Sequence, residues 1–171
     1  MSVVETYKVQ LVNGPLADVQ RWTLRGIPSL LMGGTIIDVR DFEHLRDDFR
    51  ITHVLNLETE HSDIGKVSCD LCEYPTPDDG QMKASSWFRF AQEFLSIPLQ
   101  LPDPVVYVHC QVGGSRTPMM VYFLLRRFFR MDPATALALI QTEKPSFGSA
   151  PYHVNYIASA EQAIVILPRA I

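Results

Sequence analysis

One stretch of this 171-residue chain constrains its fold more than any other. Val105-Val106-Tyr107-Val108 is apolar at every position, as a central parallel strand covered on both faces must be. Met119 to Leu125 is a second apolar run, closed by Arg126-Arg127. Between them lies His109-Cys110-Gln111-Val112-Gly113-Gly114-Ser115-Arg116-Thr117-Pro118. Pro118 suits the first turn of a helix, where its missing N–H would have no partner anyway. The stretch therefore reads as a buried strand, a tight loop and a buried helix ending near Arg130.

The rest of the chain fits around that unit. Met1 to Val12 reads as a short strand or ordered arm, ended by the turn signal Asn13-Gly14-Pro15. Ser29 to Met32, Thr52 to Leu57 and Val67 to Tyr74 read as strands. Phe42, Leu45 and Phe49 recur at helical spacing over Asp41–Phe49, with Asp41 as N-cap or first-turn acid. Ser86 to Ile97 sets Trp87, Phe90, Ala91, Phe94 and Leu95 on one helical face, a core stripe. Asp132-Pro133 starts a helix to about Glu143, and Pro151 to Leu167 forms a last one. Glu58 to Lys66 and Pro75 to Gly80 are loops, the second ordered by two prolines and Asp-Gly. Strands alternating with helices predict an α/β fold, a three-layer sandwich with a central, mainly parallel sheet flanked by helices. A single domain over 1–171 is expected, with an N-terminal strand or arm over about 1–28 and a core over 29–167.

Composition excludes several classes. Apolar content of 47% and charged content of 20% suit a globular protein. A net charge of -4 argues against general nucleic-acid binding, which needs a basic face. The N-terminus lacks the order of a signal peptide, and the run Pro118 to Leu125 is far short of the roughly 20 residues of a membrane span. Cys69, Cys72 and Cys110 are an odd number without disulfide spacing. Cys69 and Cys72 have CxxC spacing, but no second pair completes a metal site. A reducing, cytoplasmic setting follows, with no metal and no cofactor expected.

The central loop can hold and attack a phosphate. Backbone N–H groups from Gln111, Val112, Gly113, Gly114, Ser115 and Arg116 can converge on an anion if the glycines permit a tight turn. The helix start points its positive end at the same spot. Arg116 adds a planar cation matched to two phosphate oxygens. The same field favours the thiolate of Cys110, its nucleophilic form.

This pattern resembles the HCxxGxxR[ST] signature of the cysteine-dependent protein tyrosine phosphatases, and the element layout resembles their small dual-specificity branch. The resemblance spans about Ser29 to Leu167. It implies that Cys110 is the nucleophile of a thiophosphate intermediate, Arg116 the phosphate clamp, Thr117 a hydroxyl donor to the sulfur and His109 the residue that orients the loop and tunes Cys110. It also implies a general acid on a loop before the signature. Asp78 and Asp79 stand there side by side, and Asp79, next to Gly80, matches the Asp-Gly form better. Val112 and Pro118 depart from the small residues usual at their positions, and the loop lacks the lysines of phosphoinositide-directed relatives. No match for the family's water-positioning glutamine is evident, although His153 or Asn155 from Ser146–Asn155 could face the site. His44, His53 and His61 read as surface or strand-edge residues.

The expected activity is metal-independent phosphomonoester hydrolysis on phosphorylated protein or peptide, phosphotyrosine foremost. The same chemistry on inositol phosphates, lipid headgroups or RNA 5′ phosphates stays open. A phosphate-binding module without turnover and a rhodanese-type sulfur carrier are more distant alternatives.

Overall fold

The computed structural model describes residues 2–142 and 144–169. Strands β1 (Ser2–Gln10), β2 (Leu16–Leu24) and β3 (Ile27–Gly33) form an antiparallel meander. Strands β4 (His53–Asn56), β5 (Asp70–Glu73) and β6 (Val106–His109) run parallel to one another and to β3. The sheet order is β1-β2-β3-β6-β4-β5, so β6 lies inside it, between two parallel neighbours.

Helix α1 (Val39–Phe49) covers one face, where Phe42 and Leu45 pack with Leu31, Val54 and Tyr107. Helices α2 (Ser85–Leu95), α3 (Arg116–Arg127), α4 (Pro133–Gln141) and α5 (Pro151–Ile166) belong to the other face, with Trp22, Leu30, Met32, Val106 and Val108. This is the α/β three-layer arrangement expected from the sequence. Every residue of α3 from Met119 to Leu125 is buried, which is why that segment is apolar all round. Among the described residues, no helix is long and apolar enough to cross a membrane.

Several boundaries differ from the sequence reading. The first 28 residues hold two nine-residue strands and the start of a third, not a single strand or arm. β2 escapes a hydrophobic pattern because Arg21 stands among its buried positions, fully buried itself. Strand β5 starts at Asp70 instead of Val67, because Lys66 and Val67 donate their N–H groups to Asp63 O in a turn. Asp38 is the N-cap of α1, accepting from Asp41 N at 2.9 Å, and Asp41 is the first-turn acid. On α2 the buried aromatics are Trp87 and Phe88. Phe90 is 48% exposed and stacks on Tyr74, 4.5 Å between ring centres. Glu143, expected near the end of α4, lies outside the described residues.

Arg21 ties the N-terminal hairpin to the layer below. Its guanidinium bonds Glu5 at 2.6 Å, Asp41 at 2.8 and 2.7 Å and the Tyr107 hydroxyl at 3.1 Å, and it lies 4.0 Å from the Tyr7 ring centre. Burial works against its charge, yet these partners hold its pKa above the usual arginine value. Removing the cation leaves the mostly buried Asp41 without a cationic partner and Glu5 with His44 alone. Arg21→Ala is therefore expected to lower stability by roughly 3–5 kcal/mol, read as a reduced urea midpoint.

Candidate active site

The site is built where β6 ends. Gly33 of β3 and Asn56 of β4 both pair with His109, so the loops after all three parallel strands leave at one edge. Cys110 follows at once and is 2% exposed. The Gly113 N–H donates to Cys110 Sγ at 3.3 Å. Among the described residues, it is the only backbone N–H from Gln111 to Arg116 that donates within the protein. Gly113 needs its lack of a side chain twice over. Its φ is +88°, and a Cβ would sit 2.8 Å from the Gly33 carbonyl. The Thr35 N–H fixes the loop by donating to Gln111 O at 3.0 Å.

Helix α3 begins at Arg116, two residues before the expected Pro118. Ser115 caps it without a side-chain bond of its own. Its hydroxyl instead lies 3.2 Å from His153 Nε2, on α5. The Thr117 hydroxyl donates to Gly33 O at 3.3 Å, so it is engaged with the neighbouring strand.

Arg116 is 3% exposed. Its two terminal nitrogens donate to the Glu60 carboxylate at 3.0 and 2.9 Å, and Nη1 also reaches Thr76 O at 3.1 Å. Its Nε is buried with no partner. Burial opposes the charge, but the hydrogen bonds and charge of Glu60, with negative charge at Cys110 and Asp78, raise the arginine pKa above its usual value. On Glu60, burial works the other way, and the Arg116 hydrogen bonds hold its carboxyl below the usual range.

His109 is fully buried against the Tyr107 ring, 5.3 Å between centres. Its Nε2 lies 2.6 Å from Asp63 Oδ2 and its Nδ1 3.3 Å from Cys110 O. Both ring nitrogens face acceptors, which only the imidazolium satisfies in full. Burial alone would depress its pKa, but the Asp63 charge and hydrogen bond, with Glu58 behind, raise it. Glu58 is itself buried, and burial pushes its carboxyl up against the opposing pull of His109. A histidine raised above its unfolded value of about 6.5 stabilises the fold fully below that pH and loses the contribution as pH rises through the folded value. Glu58 acts in the same direction. The urea midpoint is thus expected to decline from pH about 6.5 upward, and Asp63→Asn should flatten the decline.

The Pro75–Gly80 loop faces the same edge. Thr76 anchors it, its N–H donating to Leu57 O at 3.1 Å and its hydroxyl accepting the Trp87 indole N–H at 2.6 Å. Helix α5 holds the other end. The Tyr156 hydroxyl donates to Asp78 Oδ1 at 2.8 Å and accepts from Gly80 N at 3.0 Å, while Asn155 Nδ2 donates to Gly80 O at 2.8 Å. Gly80 has φ +70°, and a Cβ there would strike the Tyr152 Cβ at 2.7 Å. The two aspartates differ. Asp79 is 45% exposed, bridged to Lys83 Nζ at 2.7 Å, and accepts from Gln81 N. Lys83 holds its carboxyl below the usual range. Asp78, also exposed, lies within electrostatic reach of both Arg116 and His153. Asp78, Asp79, Gly80 and Tyr152 line a cavity of about 280 Å³.

The structure thus brings Cys110, Gln111 to Arg116, His109 and Asp78 to one edge. His153 and Asn155 reach the site's loops as well. Three residues escaped the sequence reading: Glu60, Asp63 and Glu58, all in the segment read only as a loop. They follow β4 directly, but only its pairing with β6 brings them to the site, and that register has no local signal. His44 lies between Glu5 and Asp48, His53 beside Asp70, and His61 near Glu58. Cys69 and Cys72 are free and half-buried. Burial and Asp70 push the Cys69 thiol up to about 11, and burial and Glu73 raise Cys72, which disfavours thiolate at either.

Comparison with known proteins agrees with this geometry. The family described as dual specificity phosphatase, catalytic domain, matches residues 39–163. No curated protein sequence matches the chain. Among solved structures, a mutant form of Tk-PTP is similar with a TM-score of 0.68 at 14% identity, over 86% of this chain and 97% of that one. PTPMT1 in complex with PI(5)P gives 0.63 at 17% identity, over 81% and 94%. The human tyrosine phosphatase-like serine/threonine/tyrosine-interacting protein gives 0.62 at 20% identity, over 81% and 93%. These likenesses establish the fold, and the family match goes further: the chain belongs to the dual specificity phosphatase catalytic-domain family, a branch of the cysteine-dependent protein tyrosine phosphatase superfamily.

Proposed function

We propose that the chain acts as one phosphatase domain that hydrolyses phosphomonoesters, phosphotyrosine in proteins foremost, through a phosphocysteine at Cys110. The observation that carries this reading is the Cys110 sulfur beneath a loop whose N–H groups, Gly113 apart, are unpaired, beside the unpartnered Nε of Arg116. The Cys110 thiolate attacks phosphorus, and the P–O bond to the leaving group breaks. The departing oxygen takes a proton from a carboxylic acid. Water then attacks phosphorus and gives its proton to that carboxylate; the new P–O bond forms as the S–P bond breaks, releasing phosphate and thiolate. Loop N–H groups and Arg116 stabilise the charge on the equatorial oxygens in both steps. His109 holds the loop through the Cys110 carbonyl, and Ser115 and His153 support the start of α3. No step calls for a metal.

The acid is assigned to Asp78 in place of the Asp79 favoured by the Asp-Gly pattern. Asp79 is tied to Lys83, away from the clamp. Asp78 has no ion-pair partner among the described residues, is oriented by Tyr156 and is the aspartate within electrostatic reach of Arg116. Asp78→Asn should lower kcat by roughly 10²-fold on phosphates with poor leaving groups and much less on good ones. Asp79→Asn should leave both nearly unchanged. Initial rates on an aryl phosphate series, with chelator present, test the assignment. The reverse pattern would restore Asp79.

A protein substrate in a reducing, cytoplasmic compartment is favoured by two features. Glu60, Asp78 and Asp79 surround the loop, and Lys83 is bound to Asp79, which opposes entry of a polyanion. Three free cysteines fit that compartment. The similarity to PTPMT1 in complex with PI(5)P supports phosphoinositide as the second reading. Relative kcat/KM on phosphotyrosine peptides and on phosphoinositides decides between them.

A further inference from the structure

We propose that a cavity at the end of α3 remote from Cys110 is a binding site for a small anion carrying clustered phosphates. The cavity has a volume of about 520 Å³, within the range of about 300–1,000 Å³ typical of ligand pockets. Arg126, Arg127, Arg130 and Arg169 all line it, with Gln100. Four of the chain's 15 basic residues therefore meet at one place in a protein whose net charge is -4.

The local structure accounts for only half of that charge. Arg126 is neutralised by Glu161, at 2.7 and 3.0 Å. Arg127 caps the end of α5 by donating Nη2 to the carbonyls of Ala163, Ile164 and Leu167 at 3.2, 3.1 and 3.0 Å, which complements the helix dipole. Its Nε is buried without a partner. Arg130 and Arg169 are exposed, and among the described residues neither has an ion-pair partner. Burial, with the charge of Arg169, depresses the Arg127 pKa, so the cluster repels itself. An anion entering the cavity removes that repulsion and supplies acceptors to three guanidinium groups at once.

Guanidinium forks match the paired oxygens of phosphate better than a single carboxylate. Several forks on one wall select several phosphates on one small scaffold. The twelve residues of α3, at 1.5 Å rise each, put this cavity about 18 Å from the phosphate loop, so the two sites are separate. The ligand is either a soluble oligophosphate or a phosphorylated lipid headgroup.

Calorimetric titration with inositol hexakisphosphate and with pyrophosphate tests the site, alongside co-sedimentation with phosphatidylcholine vesicles containing phosphatidylinositol bisphosphate. The paired variant Arg130→Glu/Arg169→Glu alters two exposed side chains and should leave folding and aryl phosphate hydrolysis unchanged. It is expected to bind the probe roughly tenfold or more weakly than the unaltered protein. Loss confined to the soluble probes names a free oligophosphate, and loss on vesicles as well names a headgroup. Equal affinity in both proteins would place binding elsewhere and overturn the proposal. So would no binding of any probe by the unaltered protein up to about 1 mM.

Discussion

Cys110→Ser is expected to abolish turnover, lowering kcat on any phosphomonoester by roughly 10⁴-fold or more while leaving phosphate binding in place. The surroundings of the sulfur decide this outcome. Its hydrogen-bond partner is a donor, the Gly113 N–H, and the loop around it presents N–H groups and a guanidinium. These groups offer no acceptor to take a proton from a serine hydroxyl, which stays unionised at neutral pH and cannot attack. The donors that hold phosphate are untouched by the change, so inorganic phosphate should still bind the variant with near-normal affinity. Loss of activity with retained phosphate binding separates a missing nucleophile from a collapsed loop.

Arg116→Lys should cost roughly 10³-fold in kcat/KM although it keeps the charge. The guanidinium is held on one side by two hydrogen bonds to Glu60 and one to Thr76 O. That hold leaves Nε for the phosphate and fixes its direction. An ammonium can satisfy Glu60 or a phosphate oxygen but cannot present a planar fork to both. It would also leave Thr76 O without its partner, loosening the loop that carries Asp78. Glu60→Gln, which keeps one acceptor for the guanidinium, should lose far less. Steady-state kinetics on one aryl phosphate with the two variants measure the difference. Comparable losses in both would mean that the charge of Glu60, not the fork of Arg116, governs the site.

How much of this was legible in the sequence depended on whether the information was local. The strand, loop and helix from Val105 to Leu125 could be read directly, because a segment buried on all sides must be apolar at every position. The residues of the proposed phosphate loop were readable too, since they are contiguous. The N-terminal hairpin was not, because β2 buries Arg21 in a network drawn from β1, α1 and β6, and a buried charge breaks the pattern that signals a strand. Glu60 and Asp63 reach Arg116 and His109 only through the parallel pairing of β4 with β6. Nothing near them in the chain reports that register. Asp78 and Asp79 are adjacent and chemically identical. What separates them is that Lys83 takes one and Tyr156 the other, a choice made by the packing of α5. Phe90 fits the stripe of α2 by spacing, yet lies at its margin and stacks on Tyr74 instead of entering the core.

The central claim is that phosphate passes through Cys110, and the covalent intermediate tests it most directly. Acid quenching during turnover of an aryl phosphate, with chelator present, followed by peptide mass analysis, should find one phosphoryl group on the peptide that holds Cys110. The intermediate should accumulate further in Asp78→Asn, where the attacking water lacks its base. A phosphoryl group on another residue, or steady turnover with Cys110 unmodified and replaceable by serine, would contradict the account.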